Sequence, residues 1–279
     1  MTTPTQAADI VFTRHPAIRG LAWLREAWAM FGRQRMPWLV LITLYYLIMI
    51  VATSLPIVGQ VLWPFAKPVF AVGLLAAAWT QERGGRPVPS DLFRGFRSNL
   101  AALLPFGLVV MAGVIAAVTL ASAIDGGLLM QLLTDPEAKA DEILREPRLQ
   151  MGLLAGVLVG LPVTLALWFA PALVVFQDTG PRAALGASLR ASLANWKPIA
   201  VYGLAVFVLG GVLPILAGQL LLTLFPNEAG VAAVRVLVIA WWLMFAAMLH
   251  ISDYVSYRDI FHANETLAPL NAGRTDPPG

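Results

Sequence analysis

Apolar positions along this chain form long unbroken runs. They follow neither the alternation of half-buried strands nor the three-to-four spacing of amphipathic surface helices. Six stretches are long and apolar enough for membrane spans: about 37–57, 63–82, 100–124, 151–176, 198–224 and 232–256. A hydrocarbon layer about 30 Å thick needs roughly 20 such residues in helix, because backbone polar groups there must bond internally. The short connections PIVGQVL and PNEAG predict that spans one and two, and spans five and six, form antiparallel hairpins. The predicted fold class is an all-α integral membrane protein with about six transmembrane helices.

The segment before the first span has a different pattern. Over about 17–35, Trp23, Leu24, Trp28 and Phe31 interleave with Arg19, Arg25, Arg33 and Arg35. Such a composition suits a helix lying in the headgroup layer, with tryptophans at the interface and arginines meeting lipid phosphates. Two roles fit it, an anchor for the first span and a specific lipid-binding surface.

Similar segments recur. An offset of 96 residues aligns 81–109 with 177–205 without a gap, matching Gln81/Gln177, Gly84/Gly180, Arg86/Arg182, Arg94/Arg190, Asn99/Asn195, Gly107/Gly203 and Leu108/Leu204. The first unit is a weaker copy, with Pro37 opposite Pro198. The pattern predicts three repeats, about 15–82, 88–178 and 181–259, each an interfacial amphipathic helix plus a transmembrane hairpin. They would form one domain over 15–261 between flexible tails 1–14 and 262–279. Arg94, Arg190 and Trp196 join the arginines and tryptophans of the first segment as candidate lipid contacts.

The long connection 125–150 carries six acids and three bases. Thr134 and Asp135 before Pro136 read as a helix start, with Glu137 in the first turn and Pro147 as a stop. A short surface helix and a plain solvated loop are both compatible with it.

Composition agrees with a membrane protein: 58% of the 279 residues are hydrophobic and 13% charged, about half the charged share of a soluble domain. The net charge is only +3 and its bases flank the spans, so nucleic acid is not an expected partner. With the N-terminus in the cytoplasm, 14 of the 19 Lys and Arg residues fall inside, leaving Lys67, Lys139, Arg145, Arg148 and Arg235 outside. The positive-inside rule therefore predicts a bacterial inner-membrane protein with both termini cytoplasmic. The N-terminus lacks the pattern of a cleavable signal, so the first span is expected to direct its own insertion.

Candidate chemistry is sparse. There are no cysteines, which removes disulfides, thiolate metal sites and cysteine nucleophiles. Span centres read as uncharged, with Lys67 and Arg235 near outer ends, so ion-coupled transport lacks its usual buried carboxylate. His250, Asp253, Tyr254 and Tyr257 share a helix face by their spacing, followed by Arg258 and Asp259. An acid-base pair, a metal site and an ordinary interfacial belt are the readings of that cluster. Glu82, Asp178 and Asp259 each close a hairpin and are expected to pair with arginines of neighbouring interfacial helices. Gly152, Gly156 and Gly160 recur every fourth residue, a smooth stripe for close helix packing, inside one molecule or between two. No catalytic, metal or cofactor motif is recognisable.

The segment from Tyr254 to Phe261, YVSYRDIF, together with the Trp/Arg-rich opening, resembles a family of uncharacterised proteobacterial inner-membrane proteins. The stretch PALVVFQDTGPRAALGASLRASLANW is similar to a segment of broader six-helix bacterial membrane groups. The resemblance implies location and topology, and supplies no catalytic residue or ligand. The expected function is thus non-enzymatic, with membrane lipids and a possible membrane-protein partner in envelope organisation or a complex. Transport of a lipid-like or small apolar solute is the alternative.

Overall fold

The computed structural model describes residues 10–55, 58–98, 100–135 and 138–262. Most of the two expected tails, and the expected helix-start residues Pro136 and Glu137, lie outside the described residues. Those described form thirteen α-helices with short 3-10 and π segments, and no strand.

Helix α1 (Arg19–Arg33) precedes the hairpin of α2 (Arg35–Thr53) and α3 (Val58–Glu82). A 3-10 turn (Pro89–Phe93) and α4 (Arg94–Arg97) lead into α5 (Leu100–Asp125). Two short helices, α6 (Leu128–Thr134) and α7 (Ala140–Ile143), connect it to α8 (Pro147–Trp168) and α9 (Ala170–Phe176). Helix α10 (Pro181–Ala194) then precedes α11 (Trp196–Phe207), a π segment (Val208–Val212), α12 (Leu213–Leu224) and α13 (Glu228–Phe261). Among the described residues, six helical stretches are long and apolar enough to cross a membrane: Arg35–Thr53, Val61–Glu82, Leu100–Asp125, Pro147–Phe176, Trp196–Leu224 and Glu228–Phe261.

The connection between the third and fourth spans departs from expectation. Thr134 ends α6 instead of starting a helix, and Pro147 is the first residue of α8 instead of a stop. Proline suits the start of α8, since its fixed φ and missing N–H are harmless in a helix's first turn.

The buried core lies toward the end of the bundle that carries Ile10 and His262. It joins Trp23, Trp38, Leu41, Leu74, Phe169, Tyr254 and Tyr257. Toward the other end, Ile115, Leu153, Leu158, Ile215, Leu220 and Leu224 face outward, an apolar surface suited to acyl chains. Helix α1 is built into the core. Its Gly20, Trp23, Leu24, Ala27, Met30 and Phe31 are buried, and it packs against α11 and α13.

Two helices are deliberately interrupted. Between α8 and α9 the ladder bond from Phe169 N–H to the Leu165 carbonyl is replaced by the Ser188 hydroxyl. Ser188 donates to Leu165 O at 2.9 Å and accepts from Phe169 N at 3.0 Å, and Ser192 adds a donor to the same carbonyl at 3.2 Å. A side chain inserted in this way bends the helix while keeping its backbone satisfied. In the fifth span, Gly210 in the π segment lets the Phe245 ring approach, since a Cβ there would lie 2.3 Å from that ring. Trp241 Nε1 donates to Leu209 O at 3.2 Å beside it. The glycine stripe of α8 packs internally for two of its three members. Cβ atoms on Gly152 and Gly156 would lie 2.8 and 3.3 Å from carbonyls of α5, whereas Gly160 has open space.

Candidate functional site: a cavity among the spans

That open space is part of a half-open cavity of about 770 Å³ bordered by α2, α3, α5, α8, α9, α11 and α13. Its lining on α3 runs from Trp63 to Leu75, roughly 18 Å of helix rise. The middle is aliphatic, with Met49, Leu74, Val110, Val163, Leu167 and Val206. One wall is aromatic. Tyr45 meets Trp63 and Phe70 at ring-centroid distances of 5.8 and 5.9 Å, and Trp63 stacks on Phe70 at 5.9 Å. Opposite, Trp168 leans on Tyr202 at 5.5 Å.

Polar groups are concentrated at two ends. His250 and Asp253 line the cavity from the last third of α13, with His250 Nδ1 3.5 Å from Asp253 Oδ2. Tyr45 meets the His250 ring edge-on at 5.6 Å. Nearby, Tyr202 Oη lies 2.7 Å from Ser252 Oγ, whose own proton is donated to Leu249 O, so the tyrosine is the donor. Lys67 lines the cavity from α3, fifteen residues before Glu82, whose carboxylate meets Tyr254 beside Asp253, and is therefore separated from that level by roughly 22 Å of helix rise. Both Lys67 and Asp253 sit inside membrane-crossing stretches. Neither is at the centre of its stretch, and both charges face the cavity.

The sequence-defined polar cluster is divided by the fold. His250 and Asp253 turn to the cavity, while Tyr254 donates to Glu82 of α3. Tyr257 Oη lies 2.9 Å from His262 Nε2, to which Gln177 Nε2 also comes within 3.2 Å. Arg258 bridges Glu82 and, at 2.7 Å, Glu26 of α1. Asp259 receives Arg19 Nε and Nη2 at 2.7 and 2.8 Å and Trp23 Nε1 at 2.8 Å. Arg19 also reaches Glu26 at 3.1 Å, so one continuous ion network joins α1, α3 and α13. The hydrogen bond to Asp259 raises the Arg19 pKa further above its ordinary value. Among the described residues, no group of three or more His, Cys, Asp and Glu gathers as a metal site.

Of the proposed lipid contacts, Arg19 and Trp23 are instead committed internally, and Trp23 is 0% exposed. A carboxylate on the neighbouring helix draws the indole N–H inward. Arg94 is likewise engaged, with Asp91 at 2.9 Å and the Thr80 hydroxyl at 3.1 Å. Arg25, Arg33, Arg35 and Arg190 are exposed, as are Trp28 at 48% and Trp196 at 60%. The expected pairing of acids with interfacial arginines holds for Asp259 and Arg19. Glu82 pairs with Arg258 of a span, and Asp178 is exposed and in no ion pair among the described residues. Glu26, Ser188 and Ser192 went unremarked in the sequence; the four-residue spacing of the two serines on α10 was the available signal.

Fold and apolar spans define a polytopic helical membrane protein with an internal cavity. The chain is similar to a probable inner membrane protein of Burkholderia thailandensis, 30% identical over 267 residues that cover 92% of this chain and 96% of that one. It belongs to that family of inner-membrane proteins and is itself a multi-pass membrane protein. No protein-family model and no solved structure matches it.

Proposed function

We propose that this protein binds a lipid-like amphiphile within the inner membrane and performs no chemistry on it. The observation that carries the reading is the half-open cavity of about 770 Å³ with aliphatic walls and polar groups at its ends. Its volume falls in the range of sites for a single small molecule or one chain. Native mass spectrometry of gently extracted protein tests it. The wild type should retain an amphiphile that Val110→Trp, which fills the cavity, loses; a bare wild type would overturn the reading.

Exposed Arg25, Arg33, Arg35 and Arg190 with Trp28 and Trp196 are proposed to touch headgroups, supporting a role in envelope organisation or a membrane complex. The positive-inside bias supports both termini being cytoplasmic. Because the chain has no cysteine, single cysteines at Arg14 and Lys139 can be labelled with an impermeant reagent in intact cells. Labelling of the second alone is the expected result. Three helix-plus-hairpin units descended from one ancestor account for the element order, with matched Gln81 and Gln177 both used in side-chain bonds.

Transport of the same amphiphile is a second reading, favoured by the serine-bridged break where Trp168 and Pro171 line the cavity. Flux across proteoliposomes, abolished by Val110→Trp, would distinguish it from binding alone.

A further inference from the structure

We infer that the cavity selects amphiphiles whose head is an ammonium group, held at Asp253, with the apolar chain running along the cavity toward Lys67. The inference rests on the cavity being a binding site, as proposed above, and names the chemistry that the site recognises.

The acids at this end of the bundle fall into two groups. Glu26, Glu82, Asp91 and Asp259 are each matched by an arginine. Asp178, exposed between α9 and α10, and Asp253 have no arginine partner among the described residues, and of these two it is Asp253 that lines the cavity. Its side chain remains 40% exposed beside the cavity, and its ion-pair partner among the described residues is His250, at 3.5 Å and charged only when protonated. Lys67 is the cation that lines the same cavity, but it lies toward the other end of the bundle. A carboxylate at the edge of an apolar cavity, without a permanent cation, is stabilised by one that a ligand supplies.

The surroundings favour a particular kind of cation. Tyr45 meets His250 edge-on at 5.6 Å and Tyr202 bonds Ser252, the residue before Asp253, and Trp63 and Trp168 continue the aromatic walls. A carboxylate among aromatic rings is the chemistry that recognises ammonium groups, because the ring faces carry negative potential. The His250 imidazole has a ring nitrogen that accepts from an amine N–H when that nitrogen carries no proton. Among the described residues, no lysine or arginine lines this end to meet a phosphate or carboxylate head.

Protein in detergent micelles, offered dodecylamine, dodecanol and dodecanoate and read by native mass spectrometry, tests the inference at a pH where the amine is charged. Dodecylamine should bind about tenfold tighter than dodecanol, the scale of one charge-assisted hydrogen bond. Asp253→Asn should bring the two within about twofold without weakening dodecanol, and Asp253→Glu should retain the amine preference. The Glu variant keeps the test decisive if the Asn variant does not fold. Equal binding of amine and alcohol, both excluded by Val110→Trp, would overturn the head selection and leave the cavity reading intact. A dodecanoate preference abolished by Lys67→Gln would overturn it by placing the head at the other end. Binding of none of the three would overturn both the inference and the reading beneath it.

Discussion

Arg19 grips Asp259 with two donors of its guanidinium, at 2.7 and 2.8 Å, across a sequence separation of 240 residues. Trp23, one turn along α1, adds its indole N–H to the same carboxylate, and Thr13 N donates to Ile260 O at 2.7 Å. The beginning of the described chain is thereby fastened to the end of the last span. Asp259→Ala leaves Trp23 without its acceptor and Arg19 with Glu26 alone, and should lower stability by about 2–3 kcal/mol. The low end of the buried-pair range applies because the Arg19 side chain is 31% exposed. Trp23→Phe removes one hydrogen bond and should cost about 1 kcal/mol. Equilibrium unfolding in mixed micelles would rank the two.

Ser188 takes the place of a missing backbone bond in the fourth span. Ser188→Ala leaves Phe169 N–H and one bond of Leu165 C=O unmet in a buried setting, a loss of about 1–3 kcal/mol. Ser192 donates only to Leu165 O, at 3.2 Å, so Ser192→Ala should cost under about 1 kcal/mol. Equal losses in the two variants, measured by the same unfolding experiment, would contradict the bridging role.

Close helix approaches supply a third prediction. A Cβ on Gly20 would lie 2.1 Å from Pro198 O, so Gly20→Ala must push α1 away from α11. The expected loss is at least about 2 kcal/mol. Gly152→Ala, facing Ala121 O at 2.8 Å, should cost about 1–3 kcal/mol. Gly160→Ala meets nothing within 4 Å and should change stability by less than about 0.5 kcal/mol. Thermal denaturation in one detergent compares all three.

The spans were legible because each is a contiguous apolar run, and the six helices begin and end within a few residues of the sequence-defined stretches. The placement of individual polar groups was not. An interfacial tryptophan and a buried one have the same local surroundings in sequence, so Trp23 could be assigned to the core only once Asp259 was brought beside it. Pro147 illustrates a second ambiguity, since proline marks a helix start as readily as a stop. The cavity has no sequence signature at all. It arises where Gly160, the serine-bridged bend and aromatic side chains from four separate helices (Tyr45, Trp63, Trp168 and Tyr202) meet, and only tertiary packing gathers them.

The central claim is that an amphiphile occupies the cavity, and photo-crosslinking locates it most directly. A chain amphiphile carrying a diazirine near its methyl end would be reconstituted with the protein, irradiated and mapped by peptide mass spectrometry. The account predicts adducts on the cavity lining, at Val110, Val163 and Val206, and their loss in Val110→Trp. Adducts confined to the outward-facing Leu153, Leu158 and Ile215, unchanged by that substitution, would contradict it.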